Sequence, residues 1–184
     1  MNITDSVRNV MEQLPPGVEL VAAVKTRTAE EVRAAIMAGV RHIGHNYVQE
    51  AAAMHPLIGN AVTWHCIGHL QRNKVKKAVA LFDMIETVDS YELAVEIDKR
   101  CAAIDKHIDV LVEINSGRED NKSGVFPDDA ERLIRNVASL SRIRIRGMMT
   151  MGPLLEEPEQ VRPYFRLTKK LYDHVSALRI EGVS

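Results

Sequence analysis

The sequence holds only two cysteines, Cys66 and Cys101, in 184 residues. Two thiols cannot build a disulfide scaffold, and their scarcity fits a reducing cytoplasm. No apolar run approaches membrane-spanning length. The first fourteen residues carry Asp5, Arg8 and Glu12 in place of an apolar signal core. They read instead as an amphipathic helix with Val7, Val10, Met11 and Leu14 on one side. Charge of one sign is missing too: the formal net charge is -1. That balance argues against nucleic acid or an anionic membrane as a partner. The basic stretch with Lys74, Lys76 and Lys77 has no aromatic residues interleaved, so it reads as a solvated helix face. Glycine is absent from the first strand-to-helix turn, Lys25-Thr26-Arg27. A doubly wound nucleotide fold usually carries glycines there.

What is present is ordinary soluble-domain material, 46% hydrophobic and 27% charged, with length enough for one domain and a sizeable core. The chain is organised around Val18 to Val24, a mostly apolar run that leads into Lys25. It is too short for a helix and rich in valine, so it reads as a buried strand. Thr28 and Glu31 then form a capping box that opens a helix. Lys25 thus stands at the carboxyl end of a strand, where parallel α/β folds bind ligands. A lysine that loses solvation there becomes a nucleophile toward carbonyls; one that snorkels to the surface does not.

Further strands are expected at Arg41 to Gly44, Val62 to Ile67, Phe82 to Thr87, Ile108 to Ile114 and Ile143 to Met149. Helical patterns separate them. One of these runs from about Asn46 to Met54 and stops before Pro56. Another opens at Pro127, and the last carries Val161, Phe165, Thr168, Leu171, Tyr172 and Val175 at helical spacing. Six βα units in succession imply a parallel sheet with right-handed crossovers. The glycine-free first turn favours a TIM-type barrel over an open sheet. A barrel wants eight units, so about six make it incomplete, and Arg179 to Ser184 looks like the approach to a seventh strand.

In a barrel the strand ends share one mouth. They deliver Lys25, Asn46, His65, Gly68, His69, Asp89, Ser90, Asn115, Ser116 and Thr150. Such a set suits a small carbonyl or phosphate ligand, although Thr28, Asp89 and Ser90 also stand where helix caps are expected. His65 and Cys66 are adjacent, so on a strand they face opposite ways and make a poor metal site. His42 and His45 read as surface or loop residues. Gly117 to Ser123 lacks the glycine before the lysine of a phosphate loop, and reads as a polar loop over the mouth.

Several stretches together resemble the pyridoxal phosphate homeostasis proteins. They are Ala23-Val24-Lys25-Thr26, Ile43-Gly44-His45-Asn46-Tyr47-Val48-Gln49-Glu50 and Trp64-His65-Cys66-Ile67-Gly68-His69-Leu70-Gln71-Arg72-Asn73-Lys74. Glu86-Thr87-Val88-Asp89-Ser90, Lys122-Ser123-Gly124 and Arg146 to Met151 continue the series in order. The family shares its barrel with the N-terminal domain of bacterial alanine racemase. The resemblance implies an α/β barrel of that type with pyridoxal 5'-phosphate (PLP) in its mouth, held as an internal aldimine on Lys25. Asn46 matches a residue lining the cofactor pocket. His65, Ile67 and Gly68 match the segment beside the ring, and Met149 and Thr150 a segment near it.

The resemblance also implies intracellular vitamin B6 homeostasis without dedicated turnover. Apo PLP-dependent enzymes are then the candidate recipients, and a complete member is a monomer. A PLP-dependent amino-acid racemase or lyase is the alternative; it would need a second acid/base from elsewhere. A cofactor-free Schiff-base aldolase and a non-binding relic are more distant readings. The family usually has glutamate at the position of His45 and phenylalanine at that of Cys66. Its phosphate cradle, near strands seven and eight, has no counterpart in residues 1–184, so a single, C-terminally truncated barrel domain is expected, holding the phosphate weakly.

Overall fold

A computed structural model describes residues 2–183. Helix α1 (Ile3–Gln13) precedes six strand–helix units. Their strands are β1 (Val21–Ala23), β2 (His42–His45), β3 (Thr63–Cys66), β4 (Met84–Val88), β5 (Ile108–Glu113) and β6 (Ile143–Met149). The helices are α2 (Ala29–Met37), α3 (Val48–Ile58), α4 (Val75–Leu81), α5 (Tyr91–Ala102), α6 (Pro127–Ala138) and α7 (Arg162–Ala177).

Local chemistry sets several boundaries. Thr28 caps α2: its hydroxyl accepts from the Glu31 N–H at 3.3 Å, and Glu31 Oε2 accepts from the Thr28 N–H at 2.8 Å. Pro127 stands in the first turn of α6, where its missing N–H costs nothing. The helix expected to stop before Pro56 instead runs to Ile58 with Pro56 inside. In the last turn a proline sacrifices only one backbone bond. Gly59, in the left-handed region at φ 66°, then closes the end with a 2.8 Å bond from its N–H to the His55 carbonyl.

The sheet decides between the two candidate architectures. All neighbouring strands pair in parallel, in the order β1-β2-β3-β4-β5-β6. A doubly wound sheet reverses its order at a switch point; this one does not. With right-handed crossovers, an order that never reverses puts every helix on one face, and consecutive helices do pack side by side. That is the winding of a TIM-type barrel. After α7 the chain returns to the free edge of β6, where Val183 makes an isolated parallel bridge with Ile145.

The two faces of the sheet differ. On the helix side, Ala22, Ile43 and Trp64 align in register, as do Cys66, Ile85 and Val110. Ile43, Ile85 and Val110 are fully buried there, in one cluster with Val32, Val75, Ile97, Ile134 and Val137. The other face carries Ala23, Gly44, His65, Met84, Asp109 and Arg144 in register. It is polar: Asp109 lies 2.6 Å from Arg144 Nε and 3.7 Å from Arg146 Nε.

Val18 to Val24 is not a buried strand. Only Val21–Ala23 is extended and paired; Val18, Glu19 and Ala23 are exposed and Val24 alone is buried. The reason is position. β1 lies at a sheet edge, so only its helix-facing side is covered. Among the described residues, no helix is long and apolar enough to cross a membrane. Replacing Ile85 by alanine removes a side chain packed between β3 and β5 under the helices. We expect a loss of about 2–5 kcal/mol, read from urea unfolding.

Candidate functional site

The carboxyl ends of the strands form one rim. One cavity on it, about 330 Å³, lies between the ends of β3, β5 and β6. Ile67, Thr87, Glu113, Ser116 and Met149 line it, and the loop after β6 closes one side with Met151 to Leu154. Asn115 shapes the loop after β5. Its Oδ1 accepts from the Glu119 N–H at 3.1 Å, and its Nδ2 donates to the carbonyls of Glu119 and Lys122 at 2.8 and 3.3 Å. Ser116 and Thr150 hydroxyls lie 2.9 Å apart, and Thr150 also donates to the Ile114 carbonyl at 2.9 Å. Lys122 ties the two loops: its ammonium sits 2.7 Å from Glu119 Oε2 and 3.2 Å from the Gly152 carbonyl. Gly117 to Ser123 is thus a loop over the mouth.

Two further hollows adjoin. One is lined by Asn46, Tyr47, Gly68, His69 and Gln71; the other is a wider groove with His69, Asp89, Ser90 and Ser123. Gly68 is required where it stands, because a Cβ there would lie 2.4 Å from the Asn46 carbonyl oxygen. The backbone after β3 therefore lies flush against the backbone after β2. His69 borders all three hollows. Ser123 Oγ and Asp89 Oδ2 both approach its Nδ1, at 3.0 and 3.5 Å. A serine-hydrolase relay needs opposite ring nitrogens, so this cluster is not one.

The residues singled out from the sequence are therefore dispersed along the rim. Ile67 and Met149 share the cavity between β3, β5 and β6, and Thr150 hydrogen-bonds Ser116 of its lining. Asn46 and Gly68 share the neighbouring hollow. His65 lies below the rim, buried, with Nδ1 2.7 Å from Glu86 Oε1 and Nε2 3.0 Å from His42 Nδ1. Lys25 is exposed. The desolvated lysine expected from a buried strand is not found, because β1 is an edge with its non-helical face open. Among the described residues its ammonium makes no hydrogen bond or ion pair. The next residue, Thr26, holds a left-handed φ of 62°. A non-glycine residue costs about 1–2 kcal/mol there, and such strain collects at functional turns.

His42 and His45 are not surface residues. His42 is half-buried in the chain to Glu86, and His45 is 1% exposed, its ring stacked on Trp64 at 9° and 5.5 Å between centroids. Burial holds its pKa below the usual histidine value. Burial also pushes the Cys66 thiol up to about 11, which leaves it a poor nucleophile or metal ligand at neutral pH.

Sequence reasoning missed Glu113. It closes β5, and its Oε2 is sealed from solvent without a hydrogen-bond partner. Burial, reinforced by the nearby Asp89 carboxylate, raises its pKa to about 7 from the ordinary 4.5. The signal was available: Asp109, Leu111 and Glu113 alternate with the buried residues of β5, so Glu113 faces the same side as Asp109. A folded carboxyl that titrates near 7 holds a proton that the unfolded chain gives up near 4.5. Its protonated form favours folding, and that preference is lost as pH rises through about 7. Glu113→Gln cannot ionise. Its stability relative to the native chain should gain about 1–2 kcal/mol between pH 4 and pH 8, after allowance for solvent screening. Urea titrations at the two pH values measure this.

The comparisons with known proteins agree with this fold. A family model described as "Alanine racemase, N-terminal domain" matches residues 1–184. The pyridoxal phosphate homeostasis protein of Aquifex aeolicus is 34% identical over 186 residues, which is 95% of this chain and 82% of the relative. Its namesake in Escherichia coli K12 is 32% identical, over 90% of this chain and 76% of the relative. Among solved structures, PipY of Synechococcus elongatus without PLP matches with a TM-score of 0.91 at 31% identity, over 96% of this chain and 83% of its own. PipY with PLP bound matches at 0.88 and 30%, over the same shares. An alanine racemase of Clostridium difficile reaches 0.85 at 15% identity, over 99% of this chain and 51% of its own, a likeness of fold alone. The chain belongs to the family of the pyridoxal phosphate homeostasis proteins, built on the alanine racemase N-terminal barrel.

Proposed function

We propose that this rim holds PLP through Lys25, and that residues 1–184 act as one PLP-binding domain in intracellular vitamin B6 homeostasis, without dedicated turnover. The observation that carries the reading is Lys25 itself: a primary amine at the carboxyl end of β1, unpaired among the described residues and followed by a left-handed turn at Thr26. No carboxylate has to be displaced from this amine before it meets an aldehyde; being exposed, it gains no activation from burial. When bound, the cofactor supplies that aldehyde, a phosphate and an aromatic ring.

The residues present fit such a group in part. Asn46 flanks the flush backbone contact with Gly68, which leaves a flat wall beside the strand ends. Ile67 and Met149 offer apolar surface, and Ser116 and Thr150 offer hydroxyls. His65 supports the site from below through Glu86 and His42. The relatives' name speaks for homeostasis rather than catalysis, and PipY has been solved with PLP bound. Recipient apo-enzymes, a monomeric state and a cytoplasmic location complete the proposal; two buried, unpaired thiols suit a reducing compartment.

A spectrum tests it. Protein incubated with PLP should show a visible absorbance band that borohydride removes. Lys25→Ala should show none while keeping its circular dichroism. A colourless native protein, or an unchanged band in the variant, would overturn the assignment.

A further inference from the structure

Glu113 has no task in the scheme above, yet its surroundings are specific. Its Oε2 is buried without a hydrogen bond, and among the described residues its carboxyl makes no ion pair. Buried polar atoms nearly always have a partner, so one without demands a cause. Most other polar side chains of the lining have partners. Asn115 spends its amide on the loop carbonyls. Ser116 and Thr150 bond each other and the Ile114 carbonyl. The Lys122 ammonium is held by Glu119 and Gly152. Among the buried side-chain oxygens of the lining, Glu113 Oε2 alone has no partner.

The rest of the lining narrows the class of ligand. Ile67, Ile114, Met149, Pro153 and Leu154 make the walls apolar. About 330 Å³ lies at the small end of ligand pockets. A short apolar body with a cationic N–H donor matches both features. The charged or titratable groups around Glu113 are Asp89, His69, Glu119 and Lys122. Lys122 is neutralised by Glu119 and the Asp89 carboxylate is negative, so the local field favours a cation.

We infer that the mouth cavity is a subsite for the ammonium group of a small amine or amino acid, with Glu113 as its counter-ion. The inference rests on the PLP reading for its meaning, because amines are the class of compound that reacts with an aldehyde held at Lys25. The binding itself needs no cofactor.

The test is calorimetric titration of the protein, without added PLP, with ethylammonium and with L-alanine. Ethanol and L-lactate serve as counterparts that lack the ammonium. At pH 8 the two ammonium compounds should bind saturably and their counterparts should not. Glu113→Gln should weaken that binding about tenfold or more; Glu113→Asp, which keeps the charge, should retain most of it. Affinity should also fall at pH 6, where the carboxyl takes up a proton. Circular dichroism checks that both variants fold. Equal binding by ethanol or lactate, an unchanged Glu113→Gln variant, or no saturable binding of either amine would overturn the inference. The absorbance band at Lys25 is read separately. A band without amine binding therefore defeats the subsite alone, and amine binding without a band defeats the cofactor reading alone.

Discussion

Every helix after the first lies on one side of a sheet whose strand order never reverses. The rest of the molecule depends on that one-sided winding. It lets a single stripe of Ile43, Ile85, Val110 and Ile145 pack under the helices, and burial of apolar surface of this kind is the main favourable term in folding. It also sends all six carboxyl ends to one rim, so loops far apart in sequence meet there. The contact between the Gly68 and Asn46 backbones and the Lys122 tie to Gly152 both cross between units.

The opposite face follows a different rule. A barrel interior is usually packed with branched apolar side chains; here it carries paired charges and a histidine chain. Glu86, His65 and His42 form a line of hydrogen bonds along β4, β3 and β2, and Asp109 joins Arg144 and Arg146 across β5 and β6. Polar groups on that face are matched to one another, which is what burial requires of them. Glu113 stands apart because its oxygen has no match. Glu50 Oε2 and both nitrogens of His45 are also buried without partners, the His45 ring lying on the helix side stacked on Trp64. Burial there holds the imidazole's pKa below the usual histidine value.

Much of the architecture was legible. The capping box at Thr28 and Glu31, the proline opening α6 and the limits of β6 follow from local rules that need no partner. Alternation of short apolar runs with helical periods was enough to imply a parallel sheet. The motif series from Ala23 to Met151 was enough to place the family. What escaped were features set by neighbours. Pro56 sits inside α3 because a last turn tolerates it. β1 is short and half-open because nothing covers its outer side. Glu113 lay in a strand expected from the sequence but was not singled out, although the strand's period of two marks it as facing away from the helices.

The order and type of the elements, and the amine at the end of the first strand, are properties of the sequence by itself, since each depends on residues within a turn or two. The exposure of Lys25, the burial of His45 and the isolation of the Glu113 carboxyl were decided only by tertiary structure. Solvation and charge pairing depend on what other elements bring within a few ångströms, and no spacing along the chain records that.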